Sequence, residues 1–175
     1  MPLGINLMSG EIFARTNHQL SPLRTFIQMA STLAVTVVVS LACAEPAPAA
    51  VCSVSAAGLN FGTYNPKQPS PLDASAYISI TCTTGTPYLL GMDDGLNYLS
   101  PWRRERNGGN SLNYQLYLDS GRSLVWGMTP GSSMMPGTGT GSPQNIPVYG
   151  RIPAFQEPPD GSYSDTVSVT IEYQP

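Results

Sequence analysis

The stretch DTVSVTIEYQP shows the clearest alternation of polar and apolar positions in the chain. Every second side chain is apolar, at Val167, Val169, Ile171 and Tyr173, with polar residues between them. A period of two sends successive side chains to opposite faces, which predicts a half-buried β-strand. Such a strand has an edge that must be covered, either from within the chain or by a strand from another molecule.

Similar alternation recurs between residues 52 and 152, in short runs separated by sequence rich in Gly and Pro. About seven short strands with this spacing predict an all-β sandwich. The candidate strands are 52–56 continuing into 59–64, 76–82, 88–92, 112–118, 122–126, 146–152 and the stretch described above. Residues 65–73 and 129–143 lack any period and are predicted to be loops.

The first 44 residues are predicted to be a secretory signal peptide. Arg15 and Arg24 precede an uncharged apolar run at 26–44, which ends in small residues at Ala44. A membrane anchor is the alternative, because the run approaches the length of a span. Cleavage after Ala44 is favoured, because no basic cluster follows and residues 45–51 are rich in Pro and Ala. We therefore expect secretion through the periplasm and no stable membrane span after cleavage.

Cleavage leaves two cysteines, Cys52 and Cys82, and an exported protein with two cysteines is expected to join them in a disulfide. The bridge links the first two long predicted strands. The only histidine, His18, leaves with the signal peptide, so neither a catalytic base of that type nor a zinc site is expected. We predict no enzyme activity, cofactor or metal. The formal net charge of −3 argues against nucleic acid as a partner.

Two features are candidates for surface contacts. Met134 and Met135 lie in the predicted loop 129–143, where they either form an apolar contact at its tip or tuck back against the sheet. Trp102 begins the run 102–106, which contains three arginines and one glutamate. That run is either a basic and aromatic binding patch or a solvated turn, and the interrupting Glu105 favours the turn.

Residues 52–175 resemble the spore coat protein U domain family, which occurs in spore coats and in subunits of archaic chaperone–usher pili. The matching motifs, in order along the chain, are CSVSAAGLNFGTYNP, ISITCTTG, LNYQLYLD, VYGRIP and GSYSDTVSVTIEY. The resemblance implies an immunoglobulin-like β-sandwich with a structural role. In pilus members the sandwich lacks its final strand, which a periplasmic chaperone lends before a neighbouring subunit replaces it. The outer-membrane usher is the further partner implied.

In a domain of that kind, Val167, Val169, Ile171 and Tyr173 border the groove that takes the donor strand. The chain departs from the pilus pattern at residues 45–51, EPAPAAV, which are too short and too rich in proline to donate a strand. We therefore expect a subunit that accepts a strand but donates none, at the tip of a fibre and with an adhesive role. The alternatives are a self-complete spore-coat or envelope protein and a small secreted module that binds a glycan or a protein.

Overall fold

The computed structural model describes residues 3–14 and 49–173, and all the regular structure in these stretches is β-strand. The strands are β1 (Leu3–Ala14), β2 (Cys52–Ala56), β3 (Leu59–Gly62), β4 (Leu72–Cys82), β5 (Pro87–Met92), β6 (Arg103–Asn107), β7 (Asn110–Tyr117), β8 (Met135–Thr138), β9 (Gln144–Ile152) and β10 (Tyr163–Tyr173). The all-β class predicted from the alternating sequence is confirmed.

The strands form one curled sheet that folds into two facing layers. Its order is β2-β4-β9-β7-β6-β10-β1-β3, and β5 adds to β10 with β8 beside it. β7 belongs to both layers, because its first half pairs with β6 and its end pairs with β9. Nearly all of the pairs are antiparallel, whereas β1 runs parallel to β10.

A single apolar core lies between the two layers. The ring of Phe61 meets that of Tyr114 edge-on, with centroids 6.2 Å apart. It also covers Gly150 on β9, where an added Cβ would come within 2.7 Å of the Phe61 ring. Phe61 therefore ties β3 to the opposite layer, and only a residue without a side chain fits beneath it.

The predicted strand at 122–126 is wrong, because this segment is a turn with a single bridge between Val125 and Tyr117. The Asp119 carboxylate accepts the N–H groups of Ser123 at 3.0 Å and Leu124 at 2.8 Å. A carboxylate that binds the backbone a few residues later holds a turn and competes with sheet pairing.

Two segments predicted to lack regular structure contain strands. β8 lies inside the predicted loop 129–143 and pairs with β5. β6 replaces the predicted solvated turn at 102–106 and forms a hairpin with β7. Gly108 closes that hairpin with a positive φ of 57°, a conformation that favours glycine.

β1 lies within the predicted signal peptide, where no strand was expected. Residues 15–48 lie outside the described residues, so the leader boundary at Ala44 and most of the segment 45–51 stay predictions. In the described part of the chain, no helix has the length and apolar character that a membrane crossing requires.

Candidate functional site

The candidate site is the β10 groove, which we define as the slot between β10 and β3 that β1 fills. The side chains of Val167, Val169 and Ile171 form its apolar floor and are completely buried. Tyr173, the fourth residue predicted to border the groove, is only half-buried. It lines a cleft of about 380 Å³ with Tyr88 and Pro136 at the end of β10.

β1 is bonded on both sides of the slot. It runs parallel to β10 from the pair Leu3–Tyr163 to the pair Ala14–Tyr173, with one irregularity between Ser9 and Ile12. On its other side it pairs antiparallel with β3 over its first residues. The segment thus completes the hydrogen bonding of both neighbours, as a strand inside a sheet does.

At the start of β1, over residues 3–8, the side chains alternate between core and solvent. Leu3, Ile5 and Leu7 are buried, whereas Asn6 and Met8 are exposed. Full burial of one such aliphatic side chain contributes roughly 1.5–3 kcal/mol. Three of them represent a large part of the ~5–15 kcal/mol net stability of a typical domain. An empty groove would therefore be costly to the fold.

The backbone beside the slot is shaped to admit a strand. An added Cβ at Gly58, between β2 and β3, would come within 2.9 Å of the Ile5 carbonyl oxygen. Real Cβ atoms do not approach a backbone oxygen that closely. Gly58 therefore allows the main chain of the inserted strand to pass at van der Waals distance.

The predicted disulfide is confirmed. Cys52 and Cys82 face each other across the β2–β4 pair, with an S–S distance of 2.03 Å. The Thr83 N–H donates to the Val51 carbonyl at 3.0 Å and continues the pairing beyond the bridge. The bridge therefore fastens the strand at the far end of the sheet order from β1.

A buried guanidinium organises the side of the sandwich next to β10. The Arg103 side chain donates from Nε to the Asp93 carbonyl at 3.0 Å and from Nη2 to the Trp126 carbonyl at 2.8 Å. It also donates to the side-chain oxygen of Gln115. Burial lowers the pKa of Arg103. One side chain thus ties the end of β5, the middle of β7 and the turn before Met128 together.

Glu105 is buried two residues further along β6, and its carboxyl oxygens have no hydrogen-bond partner among the described residues. Burial, together with the charge of Asp165, raises its pKa to about 8. Asp165 itself is held by the Tyr114 hydroxyl at 2.7 Å and the Asn97 amide at 2.9 Å. Burial and this contact with Asp165 raise the pKa of Tyr114.

The side chains predicted to form a tip contact do not form a joint patch. Met134 is 3% exposed and packs over Gly91, so the alternative in which it tucks against the sheet applies. Met135 and Trp102 are half-buried. Three large exposed hydrophobic side chains shortly precede Trp102 in sequence, and they are Leu96, Tyr98 and Leu99, at 77%, 40% and 61% exposed.

The sequence pattern does not reveal the parts of the site that depend on an unexpected neighbouring strand. The alternation of Leu3, Ile5 and Leu7 is visible in the sequence, but it lies in the predicted leader. Arg103 and Glu105 also follow a period of two, but charged side chains on the inner face give no hydrophobic signal. Nothing in the local sequence marks Gly58.

Comparison with known sequences decides the family. The sequence model of the Spore Coat Protein U domain matches residues 34–170. This chain belongs to the Spore Coat Protein U domain family. Protein U of Myxococcus xanthus is 34% identical to it over 171 residues, and the match covers 80% of this chain and 95% of that protein.

A solved structure also resembles this Spore Coat Protein U domain. It is a chain from the pre-assembly complex of a chaperone and a tip adhesion subunit of the archaic chaperone–usher Csu pili of Acinetobacter baumannii. The two chains are 22% identical with a TM-score of 0.47, and the match covers 70% of this chain. It spans 39% of the solved chain, which is less than half its length.

Proposed function

We propose that this Spore Coat Protein U domain is an exported structural subunit of a surface fibre built by a chaperone–usher system. The observation that supports this most is the β10 groove, whose apolar slot is completed only by a segment far away in sequence. After cleavage at Ala44 the slot loses that segment. A periplasmic chaperone then lends a strand, and a neighbouring subunit replaces it at the outer-membrane usher.

The test is co-expression of the exported domain with the periplasmic chaperone of a candidate system, followed by co-purification. We expect a one-to-one complex, and mass spectrometry should show a chain that starts near Glu45. Gly58→Ala should weaken capture, because the new Cβ meets the incoming backbone. Gly109→Ala is the matched control, since an added Cβ there meets no atom within 4 Å. A stable soluble monomer that ignores the chaperone would contradict the proposal.

We further propose that the subunit lies at the fibre tip, because residues 45–51 are too short to donate a strand. Immunogold labelling should mark the ends of fibres, and labels spaced along the shaft would refute this position. Adhesion is then expected to use Leu96 and Leu99, which the fold leaves exposed shortly before Trp102 in the sequence. Serine at both positions should reduce attachment, whereas Tyr77→Ser, at a 61% exposed residue of β4, should not.

One observation favours a second function, that of a self-complete coat or envelope protein. β1 already fills the β10 groove with residues of the same chain. If the mature protein keeps residues 3–14, it needs no partner to complete its sandwich. The mass of the exported protein separates the two functions, because only this second one retains the N-terminal segment.

A further inference from the structure

The β10 groove and residues 3–14 of the same chain fit each other in three independent ways. The segment pairs with β10 from Leu3 to Ala14, with one irregularity between Ser9 and Ile12, and with β3 at its start. Its inward side chains, Leu3, Ile5 and Leu7, are at most 6% exposed. Gly58 leaves room for its backbone at Ile5. Residues 3–14 therefore have the properties of a ligand for the groove.

In the sequence, residues 3–14 precede the predicted export run at 26–44, whereas the domain that they complete follows it. While that run crosses a membrane, residues 3–14 and the exported domain are in different compartments. In a chain that is not exported, residues 3–14 and the domain are in the same compartment. Residues 15–48, at roughly 3.3 Å each when extended, reach any point on a domain of this size.

We propose that residues 3–14 are an intramolecular cap of the β10 groove, which closes the domain in chains that have not been exported. Because the cap and the groove belong to one chain, the cap binds intramolecularly, at an effective concentration that a separate peptide would have to match. Export separates it from the groove, and cleavage at Ala44 removes it permanently. The groove then accepts a partner strand only in the compartment where the partner is present. This inference rests on the proposed function in treating the groove as a strand acceptor.

The experiment uses the full chain, produced without export under oxidising conditions, with a site-specific protease sequence placed within residues 15–48. We expect a monomer whose backbone amides at residues 3–14 exchange slowly with deuterium. After cutting, the N-terminal fragment should co-elute with the domain. A labelled peptide of residues 3–14, added in excess, should then replace it slowly.

Two variants make the test specific to the cap. Ile5→Asp places a carboxylate at a buried position, and release of the fragment after cutting should rise at least about tenfold. Met8→Asp adds the same charge at a residue that is 59% exposed, so the fragment should stay bound. If Ile5→Asp impairs folding, the wild-type chain and the peptide exchange still give the answer.

Rapid amide exchange at residues 3–14, or immediate loss of the fragment from the cut wild-type chain, would overturn the cap. Dimers or longer assemblies of the uncut chain would also overturn it, because the segment would then fill the groove of a second copy. The result is separable from the proposed function. A domain that captures a chaperone but never binds residues 3–14 refutes only the cap, and a capped chain whose exported domain ignores the chaperone refutes only the fibre role.

Discussion

The pairs β2–β4 and β1–β10 lie towards opposite ends of the strand order and are held together in different ways. Cys52 and Cys82 join the first pair covalently, and the two strands are close in sequence. The second pair depends on main-chain hydrogen bonds and buried aliphatic side chains, and its strands lie at opposite ends of the described chain. The first pair is permanent, whereas the second is built from contacts that another strand with the same pattern can reproduce.

The difference indicates which part of a sandwich is free to exchange. A disulfide limits the unfolded ensemble, and it keeps its two strands together even while neighbouring strands open. Contacts made by alternating side chains and backbone groups do not depend on which chain supplies them. In the strand exchange proposed for this domain, the disulfide-linked pair would stay together while the pair β1–β10 changes partner.

The largest expected effect comes from breaking the floor of the β10 groove. Ile171→Asp places a charge at a fully buried position and should cost more than ~4 kcal/mol, enough to prevent folding and strand capture. Ser164→Asp, at an exposed position of the same strand, should change stability little. Urea unfolding of both variants checks this, and equal stabilities would mean that the side chains of β10 do not face the core.

Removing the covalent fastening is the next test. Cys52→Ala combined with Cys82→Ala should cost about 3–4 kcal/mol, as expected for a bridge between residues 30 apart in sequence. Thermal unfolding of the wild type with a reductant should show a similar loss, and the double variant should not respond to the reductant. When the double variant is cut within residues 15–48, the N-terminal fragment should stay bound to the domain. The disulfide joins β2 to β4 and does not hold β1 in place.

Glu105, on β6 beside β10, should make the stability of the domain fall as pH rises. Its pKa is raised from 4.5 to about 8 in the folded protein, so the unfolded chain loses the proton first. The contribution of the protonated Glu105 to stability is fully present below pH 4.5 and is lost as pH rises towards 8, by an amount on the order of a few kcal/mol. Glu105→Gln should remove this slope in urea unfolding measured from pH 4 to 9. An unchanged slope would show that Glu105 is not the group responsible.

The β2–β4 side should respond to acid instead, and more weakly. Arg151 donates to Asp73 at 2.7 and 2.9 Å across the β4–β9 pair, and this hydrogen bonding lowers the pKa of Asp73. The Asp73 carboxylate therefore contributes to the free energy of unfolding above the ordinary carboxyl pKa. This contribution is lost as pH falls through the lowered pKa of Asp73. The side chains of Arg151 and Asp73 are 33% and 35% exposed and reach solvent, so Asp73→Asn should cost less than about 1 kcal/mol. High salt should reduce the difference in unfolding free energy between the wild type and Asp73→Asn. A difference that does not change with salt would contradict this prediction.

The sequence predicted the fold class, most strands and the disulfide, because alternation and cysteine pairing are local or nearly local signals. β10 was predicted from the alternation of Val167, Val169, Ile171 and Tyr173 with polar residues. The occupant of its groove was not, because the same alternation at Leu3, Ile5 and Leu7 lies in a stretch with the features of a leader. The burial of Arg103 and Glu105 was not predicted, because it depends on carbonyl and carboxyl groups that only the folded chain brings together.

The loop between β5 and β6 is held at several points. Asp93 accepts the N–H of Gly95 at 3.0 Å and that of Ser168 at 2.9 Å, and Arg104 donates to the Asn97 carbonyl at 2.8 Å. Leu99 and Trp102 exchange backbone hydrogen bonds at 2.9 and 3.0 Å. A loop anchored in this way has little conformational freedom left to lose if Leu96 and Leu99 form the proposed contact with a surface. The entropic cost of that proposed contact would therefore be small, and a modest apolar area would be enough for binding.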